Sequence, residues 1–120
     1  MEVKYDVKTT AVGKFVQQFL DNNNSFVIMN EGIRPNLADM VVEHTAGELT
    51  ADIVEGDILK VGRTEMQVVK VGDAVNQNIR DEGHCTVVVN AEGTMPGQII
   101  VKAKIPPRLR IGNDITIYTK

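Results

Sequence analysis

Apolar residues come in short bursts along this chain, and Gly, Asn, Asp or Pro separates most bursts from the next. Val3 to Val12 alternates in part and stops at Gly13. Ser25 to Asn30 and Met40 to His44 are brief apolar runs, and Glu48 to Ile53 leads into the turn signal Glu55-Gly56-Asp57. Ile58 to Val61 and Glu65 to Val71 flank Gly62-Arg63-Thr64, the pattern of a hairpin. Thr86 to Asn90, Gln98 to Lys104 and Asp114 to Thr119 complete the set. Short strands at this spacing predict a mainly β chain, a single compact barrel-like or sandwich domain over residues 1–120.

Two segments switch to helical spacing. In Gly13 to Asp21, Phe15, Val16, Phe19 and Leu20 recur on one face. Asp73 to Glu82 is better marked, with Asp73 as an expected N-cap, Val75 and Ile79 four apart, and Gly83 as the terminating residue. Leu37, Met40 and Val41 have the spacing for a turn of helix after Pro35. No internal repeat, low-complexity stretch or linker is evident.

Composition narrows the class. A 120-residue chain with 42% hydrophobic and 24% charged residues can close one core without staples. The net charge of −3 argues against a generic nucleic-acid binder, which carries a basic excess or stripe. Basic residues are scattered, and their one concentration, Lys102 to Arg110, is broken by Pro106 and Pro107. Cys85 is the only cysteine, so no disulfide framework exists and a reducing compartment is expected. With no signal-type segment and no apolar run near the roughly 20 residues of a membrane span, the expected location is cytoplasmic, without membrane insertion.

The candidate chemistry is sparse. His44 ends the run Met40-Val41-Val42-Glu43, just before Thr45-Ala46-Gly47. A neutral imidazole accepts a group and passes it on near pH 7, so His44 reads either as a nucleophile or phosphoryl acceptor or as a solvent-facing strand end. The small Ala46 and Gly47 leave room for a partner, and the Thr45 hydroxyl can donate to a phosphoryl oxygen. His84 follows Gly83 and either interacts with the carbonyls at the helix end or supports His44 from across a sheet. Cys85 as a hydrolase nucleophile needs exposure beside a histidine from another strand. The glycines form no phosphate-cradling motif, and two distant histidines with one cysteine make a poor metal set; neither a cofactor nor a metal is expected. The stretch around Val54 to Gln67 is similar to a biotin- or lipoyl-carrier hairpin, yet Gln67 stands where the carrier lysine belongs.

An ordered series of landmarks carries a more specific resemblance. Asn30-Glu31-Gly32, Leu37-Ala38-Asp39 and His44-Thr45-Ala46-Gly47-Glu48-Leu49 come first. Val71-Gly72-Asp73-Ala74, Asn78-Ile79-Arg80, Gly83-His84-Cys85-Thr86 and Met95-Pro96-Gly97 follow. Over nearly its whole length the chain resembles the glucitol/sorbitol-specific IIA component of the bacterial phosphoenolpyruvate sugar phosphotransferase system. The resemblance implies a compact β domain of barrel character. It further implies a histidine that takes a phosphoryl group from the phosphocarrier HPr and hands it to the IIB part of the IIB/IIC membrane permease.

On that resemblance the acceptor is His44. The family motif can read His-Cys-His before Gly-Glu-Leu; here Thr45 and Ala46 follow the first histidine, leaving His44 as the only acceptor there. His84 becomes the candidate for support. Thr45, Thr86, the backbone N–H of Gly47 and Arg80 become candidates to offset the incoming charge. A transient apolar interface is expected around the site, although Met40, Val42 and Met95 read more readily as core. The rival reading is a non-catalytic β-barrel that binds a partner or ligand. An exposed His44 would favour the relay, and a buried His44 with both nitrogens on backbone would favour the rival.

Overall fold

The computed structural model describes residues 2–93 and 95–120. In chain order the elements are β1 (Val3–Val12), α1 (Val16–Asn23), β2 (Ser25–Asn30), a 3-10 helix (Pro35–Met40), β3 (Val42–His44), β4 (Ile58–Val61), β5 (Thr64–Val71), α2 (Val75–Glu82), β6 (Cys85–Val89), β7 (Gln98–Lys102) and β8 (Asp114–Tyr118). The strands close into one mixed barrel in the order β1-β3-β2-β6-β7-β5-β4-β8. The β2/β3 and β6/β7 pairs are parallel and the other neighbours antiparallel. The closed barrel selects between the two architectures that the strand pattern allows. Closure leaves no edge strand, which suits strands this short.

Inward residues alternate with outward ones along the strands, and Tyr5, Val7, Ile28, Leu59, Met66, Val68, Ile99, Val101, Ile115 and Ile117 fill a common core. Each such aliphatic side chain contributes roughly 1.5–3 kcal/mol on burial. Helix α1 buries Val16 and Leu20, and α2 buries Val75 and Ile79, a four-residue spacing that gives each short helix one apolar stripe. Asp73 does not cap α2: Ala74 is the N-cap residue, without a side-chain cap.

The barrel is an internal repeat, which corrects the expectation of none. The run β1-α1-β2-β3 has the same connections as β5-α2-β6-β7. In each, the first strand pairs antiparallel with the last, and the middle strand pairs parallel with the last. Both first strands carry a bulge at the same place, between Thr9 and Ala11 and between Val68 and Lys70. Gly13 and Phe15 donate backbone bonds to Val41 and Asp39; Gly72 and Ala74 donate the matching bonds to Gln98 and Pro96. Both helices end on a left-handed residue, Asn24 at φ 56° and Gly83 at φ 63°.

A second correction concerns Glu48 to Ile53, which joins no ladder. Side chains clamp it instead. Asn76 bonds both the N–H and the carbonyl of Ile53. The buried Lys4 ammonium donates to the Asp52 carbonyl and pairs with the Asp57 carboxylate, each at 2.8 Å. Apolar residues in this segment still reach the core through Leu49 and Ile53, which is the pattern that imitates a strand.

Candidate functional site

His44 is the last residue of β3, paired with Thr9 of β1 on one side and Asn30 of β2 on the other. It points inward and is 0% exposed. Its Nδ1 lies 2.7 Å from the Thr45 carbonyl oxygen, and its Nε2 lies 2.9 Å from the Gly83 carbonyl oxygen. Both partners can only accept, so both contacts are full hydrogen bonds when both ring nitrogens carry hydrogen. In the neutral ring one nitrogen instead turns a lone pair toward a carbonyl oxygen. The expectation of a solvent-facing strand end is therefore corrected: the ring is enclosed, and backbone holds both nitrogens.

The enclosure is tight and partly polar. Tyr5 meets the imidazole edge-on, with ring centroids 6.1 Å apart and planes at 89°. The Tyr5 hydroxyl and the Asn30 Oδ1 are buried without hydrogen-bond partners among the described residues. Burial, and then the neighbouring Cys85 sulfur, push the Tyr5 hydroxyl up to about 12. Gly83 completes the cover, and its lack of a side chain is required twice. Its φ is positive, and a Cβ there would lie 2.6 Å from His44 Cε1 and run into Asn30 Oδ1. Outside the cover, Arg34 grips Glu82 through three hydrogen bonds, strapping the β2–β3 connection to the end of α2. The hydrogen bond from Arg34 holds the Glu82 carboxyl below its ordinary range.

The internal repeat puts these residues in relief. Thr9, Asn30 and His44 occupy the positions that Val68, Val89 and Val101 hold in the other half. The three valines are buried among apolar neighbours. The backbone carbonyls differ in the same way: that of Asn24 accepts the N–H of Val89, whereas that of Gly83 meets the His44 ring. One half thus carries three polar residues where the other is wholly aliphatic, an arrangement that costs folding energy and needs a reason.

Other residues singled out from sequence fall at varying distance from this centre. His84 adjoins Gly83, is half-buried, and donates its backbone N–H to Asn78. The Thr45 hydroxyl accepts the Lys8 N–H while its carbonyl holds His44, so Thr45 serves the ring through its backbone. Gly47 is exposed, and Thr86 is half-buried on β6. Arg80 pairs with Asp52 at 2.8 Å, which engages its guanidinium elsewhere. Burial pushes the Cys85 thiol up to about 12, so it offers no thiolate at neutral pH and the cysteine-hydrolase reading fails. Met40 and Met95 are exposed, not core, while Val42 is core. Tyr5, Thr9 and Asn30 carry no chemical signal in the sequence, and Gly83 reads there only as a helix terminus. Asn30 and Gly83 were visible as landmarks, but only the barrel closure brings them to His44. Among the described residues no three His, Cys, Asp or Glu side chains converge as metal ligands.

Known proteins resemble this chain over nearly its full length. Residues 4–116 match the family model of the PTS system glucitol/sorbitol-specific IIA component. The chain belongs to that family. The glucitol/sorbitol-specific EIIA components of Shigella flexneri and of Escherichia coli K12 are each 25% identical to it over 115 residues, 94% of this chain and 93% of theirs. The crystal structure of a PTS system IIA component from Enterococcus faecalis V583 superposes with a TM-score of 0.82, covering 95% of this chain and 99% of that one. At 20% identity that superposition supports the fold alone. Membership makes the chain a IIA component of a phosphotransferase system, a phosphotransferase by role. Among the described residues no helix is long and apolar enough to cross a membrane.

Proposed function

We propose that this IIA component relays a phosphoryl group through His44, taking it from phospho-HPr and giving it to the IIB part of a hexitol permease at the cytoplasmic face. The observation that carries this reading is the polar group Thr9, Asn30 and His44 standing where the other half of the barrel has three valines.

Phosphoryl transfer asks mostly for positioning and charge stabilisation. In the reactive form His44 keeps its hydrogen on Nδ1, donated to the Thr45 carbonyl, and Nε2 carries the lone pair. That lone pair faces the Gly83 oxygen, a repulsive contact that favours moving the Gly83–His84 turn aside. Nε2 then attacks phosphorus while the bond to the donor imidazole breaks, and its electron pair stays on the donor ring. His84 comes to the phosphoryl oxygens from the displaced turn, with Thr45, Gly47 and Thr86 as further donors; Arg80 contributes only after leaving Asp52. Ile33 and Met40 lie exposed on the connection between Asn30 and His44 and suit a transient contact with HPr and IIB.

The full burial of His44 favours a second reading, a barrel that binds a partner without phosphoryl chemistry. Incubation with phosphoenolpyruvate, Enzyme I and HPr decides between them. The relay predicts an acid-labile phosphate on the wild type, its loss in His44→Ala, and slower labelling in His84→Ala. Full labelling of His44→Ala removes His44 as acceptor, and an unlabelled wild type selects the second reading.

A further inference from the structure

Away from His44, a groove of about 1230 Å³ runs over the β4–β5 hairpin, the end of β7 and the segment before β8. Six of the chain's 13 Lys and Arg line it: Arg63, Lys102, Lys104, Arg108, Arg110 and Lys120. Glu65 is its one acidic residue, and the Tyr118 hydroxyl donates to it. Among the described residues the ion pairs use Lys4, Lys8, Arg34 and Arg80, so none of the six groove cations is neutralised by a carboxylate. In a chain of net charge −3 this is a concentrated positive field, and it includes the Lys102 to Arg110 run that reads as broken in sequence. Pro106 and Pro107 do not disperse that run; they shape it. Pro107 is buried and Leu109 packs against the core, which leaves Lys104, Arg108 and Arg110 exposed. Asn90 bonds the N–H and carbonyl of Ala103, and Asn113 bonds the Arg108 carbonyl, so the cations are carried on a fixed backbone.

We propose that this groove docks an acidic, amphipathic polypeptide segment of a partner protein. Its lining includes Ile58, Met66, Ile105 and Pro106 beside the cations, and Ile105 is 65% exposed. Aliphatic and cationic side chains lining one groove fit a segment that carries Leu-type side chains on one face and Glu or Asp on the other. No aromatic side chain lines the groove on which a nucleobase could stack, which disfavours single-stranded nucleic acid. Its concavity disfavours a flat anionic bilayer. The groove shares no residue with the enclosure of His44, so the proposal stands or falls independently of the relay.

The test uses the full chain and three probes: a fluorescent 14-residue peptide of Glu and Leu at helical spacing, vesicles containing phosphatidylserine, and a (dT)12 oligonucleotide. The peptide is expected to bind best, and Arg108→Glu/Arg110→Glu is expected to weaken it roughly tenfold or more, as several lost charge contacts would. Lys14→Glu, an exposed charge reversal outside the groove, is expected to leave binding within about twofold, since single exposed charges are worth little. Circular dichroism confirms that each variant is folded. Preferential binding of the vesicles or of (dT)12, no peptide binding, or equal losses in Lys14→Glu and the double variant would each overturn the proposal.

Discussion

The two halves of the barrel share connections, bulges and helix-end geometry, yet they differ in what they bury. In the β5-α2-β6-β7 half, Val68, Val89 and Val101 meet in an aliphatic interior. In the β1-α1-β2-β3 half the same positions hold Thr9, Asn30 and His44. The fold tolerates valines at all three places, so the fold alone does not demand the polar set. Buried polar groups cost free energy unless bonded, and Asn30 Oδ1 has no partner among the described residues. The difference between halves separates what builds the barrel from what the barrel is built to hold.

Transplanting the histidine is the severest test of that comparison. Val101→His puts an imidazole where the Asn24 carbonyl is already taken by the Val89 N–H. The added volume and the unbonded ring nitrogens should cost about 3 kcal/mol, read as a lowered urea midpoint. His44→Val should cost less, because the interior accepts valine and only the ring contacts to two carbonyl oxygens are lost. If Val101→His is as stable as the wild type, the barrel accepts histidine anywhere and the asymmetry says nothing about function.

The helix ends give a second pair. Gly83→Ala forces a methyl group against His44 and Asn30 at positive φ, and should cost about 2 kcal/mol from backbone and crowding together. Asn24→Gly, at the same place in the other half, relaxes a left-handed residue and should change stability by less than about 0.5 kcal/mol. Thermal melts of the two variants sharpen the contrast. Equal effects would mean that the Gly83 enclosure is no tighter than its counterpart.

Much of this was readable along the chain, and what was not has a physical cause. Strand bursts and the Val75/Ile79 spacing reveal the elements, because period-2 and period-3.6 patterns are local. Glu48 to Ile53 misleads because Leu49 and Ile53 are buried by side-chain clamps and not by a ladder. The repeat shows only as Val12-Gly13 with Val16 and Gln18 against Val71-Gly72 with Val75 and Gln77, too brief an echo to stand out. His44 and the Gly83-His84 landmark are legible as residues worth noting. Their contact is a product of barrel closure between residues 39 positions apart, and so is the burial of the ring. The basic groove escapes for the same reason, since Arg63 and Lys120 join Lys102 to Arg110 only in the folded chain.

A modest gain in stability is the effect that most directly separates structure from function. Asn30→Val copies Val89 of the other half and removes the unpartnered Oδ1 beside Gly83. If Asn30 serves only the fold, relieving that buried oxygen should raise stability by about 1 kcal/mol and leave labelling from phospho-HPr unchanged. If it belongs to the relay, the same gain in stability should come with slower labelling, the exchange expected of a polar group kept for function at the expense of folding. We expect the second outcome. A rise in the melting temperature with an unaltered labelling rate would detach Asn30 from the site and reduce the polar centre to His44 and its two carbonyls.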